Sequence, residues 1–266
     1  MKKIKVRGTL KFPRCDYDYF GQAIGIINLN PERGTYPPGC VENASTFDFG
    51  IQYKRVHLPG GLQASGFLTE HPTPQTEKVI IKATKELERE GVRAVGTTCG
   101  FTIWFQDKMT EAVEIPVASS SLLQIPLVSK LIGKNKRVGI ITYNSRNLTE
   151  EYLRRSGVDK STKIGILGLE TISFEKYPEK KTFHEQLARP IELKRKLEIL
   201  EEYLVYAANQ LLSKYSDIGA IVLECHELAV GAYAIQQTTG LPVFDVTTLL
   251  NWTHSGIVRK RFEGFM

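Results

Sequence analysis

Two stretches of the 266-residue chain, 126 positions apart (225 minus 99), spell the same structural word and end on the same side chain. Val92-Arg93-Ala94-Val95-Gly96-Thr97-Thr98-Cys99 aligns with Ile218-Gly219-Ala220-Ile221-Val222-Leu223-Glu224-Cys225. Each is a short apolar run rich in β-branched residues, the pattern of a buried strand, and each stops at a thiol. The same offset sets Ile115-Pro116-Val117-Ala118-Ser119 on Leu241-Pro242-Val243-Phe244-Asp245. A third pair, Ile24-Gly25-Ile26-Ile27-Asn28-Leu29-Asn30 and Val138-Gly139-Ile140-Ile141-Thr142-Tyr143-Asn144, matches at an offset of 114 (138 minus 24). Three matched strand ends predict a duplicated α/β unit. Its two similar lobes would face each other, with one thiol on either side of a shared cleft. A reaction at one carbon addressed from both faces needs that geometry.

The rest of the chain alternates strand and helix. Strands are predicted near 22–28, 49–57, 92–98, 115–119, 137–143, 163–168, 218–224 and 241–245. Helices are predicted near 75–90, 101–113, 121–132, 146–156, 186–215, 227–239 and 247–258. The first helix has a start signal in Thr73-Pro74, an apolar stripe of Val79, Ile80, Ala83 and Leu87, and a stop at Gly91. Strands separated by helices argue for parallel sheets with right-handed crossovers, flanked by helices. The first lobe is expected to take 1–121 plus 247–266, and the second 122–246. Ligands of such sheets bind beyond the carboxyl ends of the strands, where Asn28, Cys99, Thr142 and Cys225 fall.

Composition narrows the function. The net charge of +6 comes from small groups of Lys and Arg scattered beside Glu or at helix ends, a solvated surface rather than a nucleic-acid footprint. No apolar run reaches the length of a membrane span, and the start of the chain lacks the apolar core of a signal peptide. A cytoplasmic protein with reduced cysteines is expected, and a homo-oligomer stays open. Cysteines at 15, 40, 99 and 225 form no CxxC pair and suggest no metal site. Cys15 and Cys40 receive no role. Segment 30–48 is the longest stretch without a regular pattern, a candidate lid over the cleft.

Cys99 and Cys225 each precede a predicted helix. A thiol at a helix N-terminus meets the positive end of the dipole and unpaired N–H groups, which lower its pKa toward neutrality. A free cysteine alone is more often a small buried hydrophobe. Two at equivalent ends of a duplicated unit point to function. Thr142-Tyr143-Asn144-Ser145 opens another predicted helix, whose hydroxyls and N–H groups suit a carboxylate or act as an ordinary cap. Asn28 could orient a thiol or cap a turn, Ser119-Ser120-Ser121 caps the helix at 121–132, and Glu224 is read as structural, facing away from the thiols.

These features resemble the aspartate/glutamate/hydantoin racemase superfamily, whose members work without pyridoxal phosphate or other cofactor. The resemblance covers nearly the whole chain and is carried by Ile24 to Asn28, Thr98-Cys99-Gly100, Val138 to Ser145, and Leu223 to Glu227. Amino-acid racemases of this group have Cys-Asn-Thr at the first thiol and Gly-Cys-Thr at the second. This chain has Cys99-Gly100-Phe101 and Glu224-Cys225-His226. Glutamate racemases have Asp where Asn28 stands, and their Thr-x-Gly-Thr run matches Thr142 to Ser145. The superfamily also includes maleate isomerases and arylmalonate decarboxylases, which use one or both thiols differently.

The leading expectation is a cofactor-independent racemase or epimerase of a small carboxylate or amino-acid-like anion. One thiolate removes the α proton while the opposite thiol donates to the other face. Cys99 and Cys225 would be catalytic, and Asn28, Thr98, Gly100, Thr142, Asn144, Ser145 and His226 would bind substrate. The alternatives are a related lyase or cis-trans isomerase with one principal cysteine, and a non-catalytic binder of small anions.

Overall fold

The computed structural model describes residues 21–29, 36–58, 72–172 and 183–265. Cys15 and positions 30–35 of the candidate lid lie outside these. In chain order the elements are β1 (Ile24–Asn28), β2 (Ile51–Arg55), α1 (Pro74–Arg89), β3 (Ala94–Thr97), α2 (Gln106–Glu111), β4 (Val117–Ala118) and α3 (Ile125–Ile132). There follow β5 (Arg137–Thr142), α4 (Glu150–Arg155), β6 (Ile164–Gly168), α5 (Phe183–Ala188) and α6 (Leu193–Lys214). The last are β7 (Ile218–Leu223), α7 (Ala232–Thr239), β8 (Val243–Phe244) and α8 (Val246–Ile257). Each strand expected from the sequence is present.

The strands form two parallel sheets in the same order, β2-β1-β3-β4 and β6-β5-β7-β8. The matched sequence segments take equivalent places: β1 with β5, β3 with β7, β4 with β8. Their shared glycine has a packing reason. A methyl on Gly25 would lie 2.9 Å from Leu87 Cδ2, and one on Gly139 would lie 2.7 Å from Leu211 Cδ2. Each glycine therefore lets a helix, α1 or α6, settle close against its sheet.

Burial on both faces explains why these strands read as unbroken apolar runs. Ile24, Ile26, Ala94 and Ala118 pack on one side of the first sheet with Val246, Leu249 and Leu250 of α8. Ile27 and Val95 face the other way, toward α1, in a core that continues through Phe101, Ile103, Ile125 and Val128 to Val138, Ile140 and Val222 of the second sheet. The far side of that sheet packs Ile141, Ile221 and Leu223 on Leu200, Leu204 and Leu211 of α6. α3 follows a first-sheet strand yet packs on β5 and β7, while α8 follows a second-sheet strand yet packs on β3 and β4. Each sheet thus lends its last helix to the other.

Helix starts differ from the sequence expectation. The segments after Cys99 and Cys225 begin as 3-10 turns, Gly100–Phe105 and His226–Gly231, before α2 and α7. Ser120 caps a similar turn at Ser121–Gln124, its Oγ accepting from Leu122 N–H. The helix expected at 186–215 is two helices, because Pro190 disfavours helical geometry in the residue before it. The helix expected at 146–156 begins only at Glu150, since Asn144 Oδ1 takes Arg146 N–H in an Asx turn instead.

Asp245 caps the entry to α8. Its Oδ1 accepts from Thr247 and Thr248 N–H at 2.7 and 3.0 Å, and Thr248 Oγ1 accepts from Asp245 N–H. Asp245→Ala should lower unfolding stability by about 1–2 kcal/mol, the usual loss for an N-cap. The check is a lower urea midpoint at unchanged slope.

Candidate active site

The carboxyl ends of β1, β3, β5 and β7 bring the strand-end residues toward one region. Thr98 serves structure there: its Oγ1 accepts from Leu29 N–H at 3.1 Å and ties the end of β1 to β3. Asn28 is half-buried at the end of β1, with its carbonyl accepting from Val56 N–H. Asn144 and Ser145 lie in a turn rather than at a helix start. Ser145 N–H and Oγ–H already donate to a carboxylate, that of Glu170, at 3.0 and 2.5 Å.

The two thiols approach closely enough that the charge of Cys99 raises the pKa of Cys225. The backbone N–H groups of Phe101 and Thr102 pull the Cys99 pKa down, and that of Glu227 pulls Cys225 down, although neither sulfur caps the turn that follows it. These donors favour thiolate, as the sequence suggested, but they are outweighed. Burial, then the charge of Glu224, pushes the Cys99 thiol up to about 12. Burial, then Glu227 and Glu224, holds Cys225 well above its ordinary value. The expectation of thiols lowered toward neutrality is therefore corrected. Short 3-10 turns give little dipole, and the nearby carboxylates oppose a second negative charge.

Those carboxylates form a cluster that sequence reasoning missed. Glu224, read as facing away, turns back toward the thiols because β7 ends one residue before it. Its Oε2 accepts from Thr142 Oγ1–H at 2.8 Å, while Oε1 is buried without a hydrogen-bond partner. Burial raises its pKa to about 7, with the Thr142 bond and His226 pulling against the rise. Glu227 Oε2 accepts from Tyr143 O–H at 2.6 Å. Glu42, in the segment singled out as a lid, has a side chain only 5% exposed. His226 Nε2 stands 2.9 Å from Glu42 Oε1 and 3.9 Å from Glu227 Oε1, ion-pair contacts that lie off hydrogen-bond alignment. Burial disfavours the imidazolium, but Glu42, Glu227 and Glu224 outweigh it and raise the His226 pKa. Cys225 Sγ lies 3.8 Å from His226 Nδ1. Cys40 is buried beside the cluster and raised by burial and then by Glu42. The available signal was proximity in sequence: Glu224 and Glu227 bracket Cys225, and Glu42 lies in the long irregular segment.

Gly100 belongs to the same construction. A methyl there would lie 2.1 Å from Glu224 Oε1 and 2.2 Å from the Glu224 carbonyl oxygen. The glycine after the first thiol and the glutamate before the second are complementary in volume. Ser121 reinforces the seam, with its Oγ–H donating to the carbonyls of Leu223 at 2.7 Å and Glu224 at 3.1 Å. Gly100→Ala should destabilise the fold by about 1–3 kcal/mol, the usual overpacking range, because backbone as well as side chain must move. Thermal unfolding measures this, and an unchanged midpoint would contradict the contact.

No protein-family profile matches the chain. It is 27% identical over 249 residues to dimethylsulfoniopropionate lyase 7 of Emiliania huxleyi (strain CCMP1516), covering 89% of this chain and 66% of the relative. It is 26% identical over 242 residues to a dimethylsulfoniopropionate lyase of Durusdinium sp. clade D, covering 89% and 75%. The chain thus spans about two thirds to three quarters of these relatives. Among solved structures it resembles a cysteine-for-glycine mutant of arylmalonate decarboxylase in sulfate-associated form, at TM-score 0.57 and 16% identity over 88% of this chain and 92% of that one. Allantoin racemase from Klebsiella pneumoniae superposes at TM-score 0.56 and 14% identity, covering 87% and 86%. These structural likenesses show the two-lobe, parallel α/β fold.

Proposed function

We propose that this chain is an enzyme of the lyase type, cleaving a small onium carboxylate by β-elimination with a cysteine thiolate as base. The observation that carries this reading is the buried set of Glu42, Glu224 and Glu227 around the thiols. A purely anionic ligand would be repelled there. A ligand with a fixed positive charge would be drawn in, and its charge would lower the thiol pKa that the carboxylates raise. Dimethylsulfoniopropionate, named in the relatives above, joins a sulfonium to a carboxylate and fits that description.

The step balances without a proton donor. The thiolate takes a proton from the carbon next to the substrate carboxylate. The electron pair of that C–H bond becomes the second bond of the new alkene. The neighbouring C–S bond breaks with its pair going to sulfur, so dimethyl sulfide leaves and acrylate remains. A sulfonium departs as a neutral sulfide, so the groups around it need only hold a cation. We place that end between Glu42 and Glu227, with His226 in its neutral form when the sulfonium is bound. The carboxylate end is assigned to the strand-end side of the cleft near Asn28 and the Asn144–Ser145 turn, where the Ser145 donors would have to exchange Glu170 for the substrate.

A second reading, racemisation or epimerisation of a carboxylate, is favoured by the equivalent placement of Cys99 and Cys225. Purified protein incubated with dimethylsulfoniopropionate and assayed for headspace dimethyl sulfide and for acrylate separates the two. Release of both products, abolished by Cys99→Ser or by Cys225→Ser, supports the lyase. No release, with deuterium from heavy water entering the α carbon of a chiral carboxylate, supports the racemase. In the lyase, Glu42→Gln should raise KM for the sulfonium substrate about tenfold or more, the equivalent of 1.4 kcal/mol of binding. An unchanged KM would remove Glu42 from the cation site.

A further inference from the structure

The raised thiols leave the proposed chemistry without an explanation of how a thiolate forms. Burial and two carboxylates oppose ionisation of Cys99, so simple loss of its proton to solvent at neutral pH is rare. A buried carboxylate beside the thiol that takes up its proton loses the charge that opposes ionisation, so the thiolate forms without a second negative charge in the site. Glu224 has the required placement. Its side chain is almost fully enclosed, with the residue 1% exposed. One oxygen is committed to Thr142 and the other, Oε1, has no hydrogen-bond partner. That free oxygen sits over Gly100, the residue immediately after Cys99, where a single methyl would collide with it.

We propose that Glu224 accepts the proton of the Cys99 thiol and so generates the thiolate base. The S–H bond breaks, its electron pair stays on sulfur, and the proton joins Oε1 to give a neutral carboxylic acid. The site therefore exchanges one negative charge for another and gains none. This assignment rests on the reading above that a thiolate is the base. It also gives a physical meaning to the paired departures at Gly100 and Glu224. The glycine clears the space, and the glutamate reaches from the second sheet to serve the thiol of the first.

The groups facing Glu224 are known from each element around it. Cys99 comes from the end of β3, Thr142 from β5, Tyr152 from α4, and Cys225, His226 and Glu227 from the segment after β7. Glu227 raises the Glu224 pKa, while Thr142 and His226 lower it, and the balance with burial lies at about 7. Below that pH the acceptor is already protonated, so assistance should appear as pH rises through it.

Alkylation by iodoacetamide, an uncharged reagent, tests this without any substrate, with modification of Cys99 followed by peptide mass spectrometry. In the native protein the Cys99 rate should rise with an inflection near pH 7. Glu224→Gln preserves size and can still accept from Thr142. It should erase that inflection and slow Cys99 at neutral pH by about a hundredfold, the lower end for positioned proton transfer. A spectator carboxylate predicts the opposite sign: removing its charge eases thiol ionisation, so Cys99 would react as fast or faster, and the proposal would fall. Thr142→Val keeps the carboxylate but removes a bond that holds its pKa down, so the inflection should move to higher pH. An unmoved inflection would also overturn the assignment. Loss of the lyase reading is distinguishable. A wild-type protein that releases no dimethyl sulfide but keeps the Glu224-dependent alkylation profile defeats that reading alone.

Discussion

The contact between Gly100 and Glu224 is the constraint on which the site depends. It is a cross-sheet contact: Gly100 follows β3 in the first sheet and Glu224 follows β7 in the second. Closing the two sheet ends to this distance brings Cys99 and Cys225 into electrostatic reach of each other. It also removes water from the carboxylates, which is why Glu224 and both thiols favour their neutral forms. Geometry and electrostatics at the site therefore have one origin. A side chain in place of the glycine would collide with Glu224 and leave no room for the seam as it stands.

That arrangement opposes stability above neutral pH. Glu224 has its folded-state pKa raised from 4.5 to about 7. The folded state binds this proton more tightly than the unfolded chain does. Its favourable contribution is complete below about pH 4.5 and is lost as pH rises through about 7, an effect on the order of 3 kcal/mol. A fold selected for stability alone would put an apolar residue there. A buried carboxylate that opposes its own ionisation is a common mark of a functional site.

Much of the architecture was legible in the sequence because its signals are local. Ile24 to Ile27 and Val138 to Ile141 are unbroken apolar runs, and only a sheet covered on both faces buries them completely. Thr73-Pro74 and Gly91 bracket α1 within a residue or two. The site was legible in part. Both thiols were visible as the ends of matched strands, and their N–H donors were anticipated. Their pKa direction was not, because it is set first by burial and then by Glu224 and Glu227 in folded proximity, and not by the turn that follows each cysteine. Glu224 was misread because strict alternation assumes that the strand continues through it, whereas β7 stops at Leu223. The helix start expected at 146 was misplaced for a related reason: Asn144 offers the backbone a turn that competes with it.

The exchange of terminal helices between the sheets has a consequence for how the chain comes apart. α3 leaves the first sheet to cover β5 and β7, and α8 leaves the second to cover β3 and β4. Pulling either sheet away would strip a helix from both and expose apolar faces such as Ile24, Ile26 and Leu250. The two halves are therefore clasped like the protomers of a domain-swapped dimer, except that one chain runs through both. Such a clasp favours a single cooperative unfolding transition over two separate ones, and a chain cut between the repeats would yield fragments that regain their shape only by finding each other.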